Sequence, residues 1–529
     1  MFIRTEGLTI TYLDAERPVL ENVDLQIAAD ERILLLGPSG AGKSTLLYAL
    51  AGLVPRAIEA RVTGQVLLDN RPVTAWTPAQ VAARLGFLFQ EPESQFCMLY
   101  PTDEVAFGLE NLAVEPEAMP AIIADSLARV GLPARAQQMR IDRLSGGQQQ
   151  RLALAAVLAL NPSMLLLDEP TSLLDPAGRR LVVESVYDLV QDGRGLIVVE
   201  HLVDPWLDLL ERVIVLDETG RVVLDDTPTV VFSRHRSQLQ SLGVWLPDAT
   251  VRPVGFIGTS PRENTHGASA QAEPIVSLRH VRAAYGDGEL VLRDISLDIY
   301  PGEFWALVGA NGSGKSSLAK TLIGMLTPMS GEVLLQGRPV HRLRTCELTR
   351  HIAYVFQNPE HQFVTDTVWG EIDYSLKQLG VPAEERADRV RSVLERFGLA
   401  EHAASNPFAL SGGQKRRLAV AAMLQAGAPL LVLDEPTFGQ DWRHAQELMQ
   451  TIARLHQEGI TILMLTHDMN LVDAYAEKVA VLHEGRLVYA GAVAPLWSRP
   501  ADLLRWGLEW PRSGAVGLRE RGETVVESD

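Results

Sequence analysis

The chain has 529 residues, too many for one ordinary hydrophobic core, so two or more domains are expected. Its formal net charge of −18 is the wrong sign for a broad nucleic-acid surface, which draws on clustered Lys and Arg, but leaves nucleotide binding open. Apolar residues make up 47% of the chain, yet charged residues or Pro interrupt every run well short of the roughly 18 needed to span a bilayer, so no membrane crossing is expected.

The chain opens on MFIRTEGLTITYLDAERP, which alternates like a strand with acidic breaks and lacks the parts of a signal peptide; a cytosolic location is the expectation. RILLLG then ends at Gly37, and KSTLLYALAGL reads as a helix, which makes Gly37 to Thr45 a strand–loop–helix junction. Further on come FQEPESQF (Phe89 to Phe96), DEVAFGLEN (Asp103 to Asn111), LSGGQ (Leu144 to Gln148), MLLLDEPT (Met164 to Thr171), VVEH (Val198 to His201) and LGVWLP (Leu242 to Pro247). Cys97 and Cys346 are the only cysteines and form no CxxC pair, so neither a disulfide framework nor a zinc site is expected. Both thiols are read as buried and inert.

Nearly all of this returns. GANGSGKSS (Gly309 to Ser317), FQNPEHQF (Phe356 to Phe363), LSGGQ (Leu410 to Gln414), LLVLDEPT (Leu430 to Thr437), MLTH (Met464 to His467) and WGLEWP (Trp506 to Pro511) follow their counterparts by 264 to 272 residues. The repeated unit is a whole domain, with expected boundaries at 1–248 and 275–511. Residues 249–274 are rich in Pro, Gly, Ser and Thr and read as a linker, and the charged segment 512–529 reads as a frayed tail.

The motif G-x-x-x-x-G-K-[ST] occurs at Gly37 to Ser44 and at Gly309 to Ser316, each after a predicted strand and before a predicted helix. Glycines let backbone N–H groups crowd around phosphate oxygens, and the helix N-terminus adds partial positive charge there. Lys43 and Lys315 are expected on the β and γ phosphates, Ser44 and Ser316 on Mg²⁺. The buried strands ending in Asp168-Glu169 and Asp434-Glu435 offer one carboxylate to the metal's water shell and a second to activate the attacking water. An acidic turn capping a helix would leave the same letters. His201 and His467 each lie 33 residues past the first acid, at a spacing that favours a γ-phosphate contact over a structural role.

Taken together, these residues resemble the ATP-binding cassette (ABC) ATPases, whose signature is LSGGQ, over nearly all of both halves. The resemblance implies an α/β fold of two tandem P-loop domains, each with a mixed sheet core and a helical signature subdomain. It implies ATP and Mg²⁺ as cofactors and ATP hydrolysis as the activity. The implied catalytic groups are Glu169, His201 and the Q-loop Gln90, then Glu435, His467 and Gln357. ATP would be held by Gly37, Pro38, Ser39, Gly40, Ala41, Gly42, Lys43, Ser44 and Thr45, and in the second half by Gly309, Ala310, Asn311, Gly312, Ser313, Gly314, Lys315, Ser316 and Ser317. Metal ligands would be Ser44, Gln90 and Asp168, then Ser316, Gln357 and Asp434. Asp175 and Asp441 fall on the family's D-loop. Tyr12 and Tyr285 fall where an aromatic stacks on adenine, with core packing as the other reading.

In this family the cassettes pair head to tail, which implies that Ser411, Gly412 and Gly413 close over ATP at Lys43, and Ser145, Gly146 and Gly147 over ATP at Lys315. No residue of either set is missing, so two hydrolysing sites are expected. The pattern Q-x-P-E-x-Q-F at Gln90 and Gln357 resembles the ATPases of energy-coupling-factor importers of vitamins and transition-metal ions. That resemblance implies a transmembrane coupling subunit and a substrate-binding membrane subunit as partners, a peripheral place on the cytoplasmic face of the membrane, and no direct nucleic-acid binding. Where the first half reads EVAFGLEN the second departs from the pattern with VWGEIDYSL, so a different partner surface is expected there. A sugar or peptide importer, or a soluble two-cassette protein of translation or DNA repair, are the alternatives.

Overall fold

The computed structural model describes residues 2–13, 15–172, 174, 176–191, 193–247, 273–286 and 288–511. Asp175, residues 249–272 of the expected linker and the expected tail 512–529 lie outside them. The chain divides into two compact units, Met1–Arg252 and Pro253–Asp529.

The first unit contains strands β1 (Phe2–Tyr12), β2 (Leu20–Ala28), β3 (Arg32–Leu36), β4 (Ala60–Leu68), β5 (Arg71–Pro72), β6 (Leu85–Leu88), β7 (Met164–Asp168), β8 (Gly195–Val199), β9 (Arg212–Leu216) and β10 (Val222–Asp226). Six form a mixed sheet in the order β10-β9-β3-β8-β7-β6, parallel except for the β9–β10 pair. Continuous apolar runs such as MLLLD and GLIVV suit strands covered on both faces. Their alternate residues serve two cores. Leu165, Leu167 and Val198 pack with Leu152 and Leu154 of the helix Gly146–Ala159, while Met164, Leu166 and Ile197 pack with Ile3, Leu25 and Ile27 of β1 and β2. The latter strands belong to an antiparallel sheet, β2-β1-β4-β5, whose alternating sequence leaves one face wetter than the other. Gly64 on β4 has φ +77°, and a Cβ there would lie 2.3 Å from the carbonyl of Glu6, so only glycine fits where β4 crosses the β1 bulge.

The second unit repeats this plan with β11 (Val276–Ala284), β12 (Leu290–Ile299), β13 (Phe304–Val308), β14 (Ser330–Leu335), β15 (Arg338–Pro339), β16 (Ile352–Val355), β17 (Leu430–Asp434), β18 (Thr461–Thr466), β19 (Lys478–His483) and β20 (Arg486–Ala492). Its sheets run β12-β11-β14-β15 and β16-β17-β18-β13-β19-β20, the same orders as in the first unit. In each unit a helical layer sits between the strand before the Q-loop and the strand ending in Asp-Glu. It comprises Pro101–Asn111, Met119–Arg129 and Gly146–Ala159 in the first, and Val368–Gln378, Ala383–Arg396 and Gly412–Met423 in the second. Two mixed-sheet α/β cassettes with helical signature layers are therefore present.

One expectation fails. Cys97 is exposed, not buried. It sits on the turn before the helix Pro101–Asn111, where the main chain rather than the thiol is tied down: Glu104 Oε2 accepts from the Cys97 amide at 2.9 Å. The side chain of Cys346 lies outside what the structure describes.

Candidate functional site

Parallel pairing brings the chemistry together. The carboxyl ends of β3, β7 and β8 are adjacent, with Leu35 opposite Val199 and Asp168 opposite Val199, so the loop at Gly37, the pair Asp168-Glu169 and His201 emerge at one edge of the sheet. The second unit does the same with β13, β17 and β18, where Val308 faces Thr466 and Asp434 faces Leu465.

Each glycine loop wraps its own lysine. Gly42 and Gly314 precede the helices Lys43–Leu50 and Lys315–Leu322 with φ +84° and +106°, a left-handed backbone in which Gly42 also approaches Val19 too closely for a side chain. Lys43 Nζ donates to the carbonyls of Gly37 and Pro38, both at 2.8 Å, and Lys315 Nζ to those of Gly309 and Ala310 at 2.6 and 3.2 Å. A buried ammonium held by the loop's own carbonyls beside a helix N-terminus puts positive charge where a phosphate group would bind. The aromatic candidates are tethered to the same helices: Tyr12 Oη lies 2.9 Å from Thr45 Oγ1, and Tyr285 Oη 3.3 Å from Ser317 Oγ. Tyr285 is about half exposed, with Lys320 Nζ over its ring at 5.8 Å from the centroid.

Behind each loop stand the acids. Both carboxylate oxygens of Asp168 are buried without a hydrogen-bond partner. Burial pushes Asp168 up to about 6, helped by the charge of Glu169 and opposed by the Ser44 hydroxyl and Lys43. An unpartnered carboxylate beside a serine hydroxyl is a donor set that fits a hard divalent cation. In the second unit Tyr354 Oη donates to Asp434 Oδ2 at 3.0 Å, and burial again raises the aspartate. The neighbouring glutamates behave oppositely. Burial alone would raise Glu169, but the charge and hydrogen bond of His201, with Lys43 and Gln90, hold it below the usual carboxylate range. His201 Nε2 is 3.1 Å from Glu169 Oε1, and His467 Nδ1 is 3.1 Å from Glu435 Oε1. Glu169 and Glu435 share a left-handed backbone, φ 48° and 47°, uncommon for a non-glycine residue and fixed here by the amide of each bonding back to β8 or β18.

Each Q-loop is a stapled turn. Gln95 Oε1 accepts from the Phe89 amide and Gln362 Oε1 from the Phe356 amide, both at 3.3 Å, so the second glutamine of Q-x-P-E-x-Q-F holds the loop shut. Past it, buried Glu104 accepts from the amides of Cys97 and Met98 at 2.9 and 2.8 Å, and buried Glu371 from those of Val364 and Thr365 at 2.7 and 2.6 Å. These staples leave Leu99, Tyr100 and Phe107 exposed in the first unit, and Val364 and Tyr374 in the second.

The signature has a local physical cause. Ser145 caps the helix Gly146–Ala159 by accepting from the Gln148 amide, and Gln148 Oε1 accepts from the Ser145 amide at 3.0 Å; Ser411 and Gln414 do likewise. LSGGQ is thus a capping box whose serine keeps its own proton to donate, with Gly146 and Gly412 exposed beside it. The pattern S-x-x-Q was the signal for it. Asp441 caps the helix Trp442–Gln457 and its carboxylate pairs with His444 Nδ1 at 2.8 Å.

Four functional neighbours had no motif to announce them: Tyr354 on Asp434, Glu200 under Thr171, and the Glu104 and Glu371 staples. A fifth, Arg416, donates to the carbonyls of Glu435 and Gln357.

The family model described as "ABC transporter" matches residues 20–172 and again 292–438. The candidate HMP/thiamine import ATP-binding protein YkoD of Bacillus subtilis (strain 168) is 40% identical over 518 residues, covering 95% of this chain and 94% of that protein. A candidate ABC transporter ATP-binding protein of Methanosarcina mazei is 36% identical over 560 residues, covering 99% and 95%. Among solved structures, cbiO1 from Clostridium perfringens, described as part of the ABC transporter complex cbiONQ, is 32% identical, with a TM-score of 0.41 over 46% of this chain and 99% of that one.

Proposed function

The chain belongs to the ABC transporter family of ATP-binding, ATP-hydrolysing proteins, and from that premise we propose that it is the motor subunit of an energy-coupling-factor importer for a vitamin or a transition-metal ion. The observation that carries this reading is the pair of stapled Q-x-P-E-x-Q-F turns, each followed by exposed apolar residues that suit a docking helix of a membrane subunit. The import role in the name of the 40% identical relative supports it. No helix among the described residues is long and apolar enough to cross a membrane, so the solute path belongs to partners: a transmembrane coupling subunit and a substrate-binding membrane subunit, with this chain on the cytoplasmic face.

Within each cassette, the glycine loop and Lys43 or Lys315 bind the triphosphate. Ser44 with Asp168, and Ser316 with Asp434, would hold Mg²⁺, joined by Gln90 and Gln357, and the metal would neutralise charge on the phosphate oxygens. Glu169 and Glu435 stay ionised and take the proton of the attacking water, and His201 and His467 orient them and reach the γ-phosphate. Ser411 to Gly413 of the second cassette close over ATP at Lys43, and Ser145 to Gly147 over ATP at Lys315. Joining both cassettes in one chain raises their effective concentration to roughly millimolar, so that ATP governs closure.

Co-purification from membranes tests the reading. A transmembrane subunit with a small substrate-binding membrane protein is the expected company; an extracytoplasmic sugar- or peptide-binding protein instead would overturn it. Charged substitutions L99E and Y100E, or V364E and Y374E, should abolish membrane recruitment while ATP binding survives.

A further inference from the structure

The two cassettes hold the main chain of their catalytic glutamates by different means. In the first, Ser172 Oγ donates to the carbonyl of Glu169 at 3.0 Å. In the second, phenylalanine stands at that place, Phe438, and the carbonyl of Glu435 accepts from Arg416 Nη1 at 2.7 Å. Arg416 Nη2 continues to the carbonyl of Gln357 at 3.2 Å, so one guanidinium joins the signature helix, the Asp-Glu turn and the Q-loop. At the matching place in the first cassette lies Gln150, fully buried, with neither end of its amide partnered.

Arg416 is itself buried. Its guanidinium donates to two carbonyls, an arrangement that carries a desolvation cost and is retained where the planar fork fixes two acceptors at once. The turn it fixes needs fixing. Glu435 has φ 47°, a conformation that a non-glycine residue keeps only where its surroundings over-determine it.

We propose that Arg416 is a positioning residue for hydrolysis at the Lys315 site, anchoring the carbonyl of Glu435 and tying it to the Q-loop of the second cassette, where in the first cassette the Ser172 hydroxyl holds the carbonyl of Glu169. The inference rests on the reading of Glu435 as the water-activating group. It makes the cassettes mechanically unequal although their motif residues match. A change at Gln357 is transmitted to the main chain of Glu435 through one rigid side chain, whereas in the first cassette Gln90 meets the Glu169 carboxylate directly.

The test measures single-turnover hydrolysis in full-length protein carrying E169Q, which leaves the Lys315 site as the active one. Adding R416Q should slow the chemical step by about tenfold or more, as expected for a lost charge-assisted hydrogen bond, with binding of a fluorescent ATP analogue unchanged. Adding F438S to R416Q should recover most of that rate, because the serine hydroxyl takes over the carbonyl as Ser172 does; a merely structural arginine predicts no such recovery. A rate for R416Q within about twofold of its parent, or no recovery with F438S, overturns the proposal. Should R416Q fail to fold, R416K, which keeps the charge but reaches one carbonyl, carries the same comparison, and an unchanged rate again overturns it. E435Q in the same background is the control that separates the two readings. If E435Q does not slow hydrolysis, the role of Glu435 falls, whereas a slow E435Q with a normal R416Q removes Arg416 alone.

Discussion

Glu169 Oε1 and His201 Nε2 stand 3.1 Å apart in a nearly dry pocket, and each moves the other's proton equilibrium: the glutamate is held down, and the histidine is held above its ordinary value once burial has been outweighed by the carboxylate. A buried carboxylate at neutral pH would ordinarily be protonated and useless as a base. The histidine keeps it ionised.

H201A should therefore do more than remove a phosphate contact. With the partner gone, only Lys43 and Gln90 still oppose burial and the Glu169 pKa rises, so the base is protonated at low pH and regained as pH rises. The acidic limb of the single-turnover pH–rate profile at the Lys43 site, measured in an E435Q background, should move to higher pH. An unmoved limb would show that His201 does not set the charge of Glu169.

E169Q and E435Q each remove the proposed base and leave the aspartate proposed to hold the metal, so each should raise the barrier at its own site by at least about 3 kcal/mol while nucleotide binding persists. The double variant should accumulate ATP-loaded protein. Single-turnover assays on the two single variants check that both sites work; a wild-type rate for either would assign the hydrolysis to the other.

Ser145 caps its helix and, in the proposed function, offers a proton to a nucleotide. S145A should cost about 1 kcal/mol of stability through the lost cap. S145D restores the cap but cannot donate and brings a negative charge to the phosphates, so thermal stability should return while hydrolysis at the Lys315 site stays low. Recovery of both in S145D would show that the serine acts on structure alone.

Glu200 is buried, accepts from the amide and hydroxyl of Thr171 at 2.9 and 2.5 Å, and is pushed by burial up to about 7. A carboxyl whose folded pKa is raised contributes stability that is present at low pH and lost as pH climbs through the folded value. E200Q, which stays neutral, should gain on the wild type between about pH 5 and pH 8 by on the order of 3 kcal/mol. Denaturant melts of both proteins across that range measure the difference; parallel curves would place the proton elsewhere.

E104A strips the acceptor from the amides of Cys97 and Met98, leaving two donors without a partner at a cost of about 1–3 kcal/mol each unless the turn opens to water. Hydrogen exchange at these two amides should accelerate strongly, with the sheet strands unaffected. The exposed Cys97 thiol should react with a thiol reagent in the wild-type fold.

The sequence by itself determined the duplication, the mixed α/β plan of each half and the family, because phosphate loops, Asp-Glu strand ends and the signature are short, contiguous patterns whose chemistry dictates residue type at fixed spacing. Even the capping box inside LSGGQ was there to read. What it left open came from contacts that no short contiguous pattern encodes. Tyr354 reaches Asp434 across 80 residues, Arg416 meets Gln357 across 59, and Glu104 turns back on a loop whose cysteine had been expected inside. Only the tertiary structure decided these, since the alignment of parallel strand ends and the packing of the helical layer, not local propensity, choose which buried polar group finds which partner. The inequality of the cassettes follows from that choice: serine against phenylalanine and glutamine against arginine look like drift in the sequence, and become alternative anchors for one carbonyl once the turn is folded.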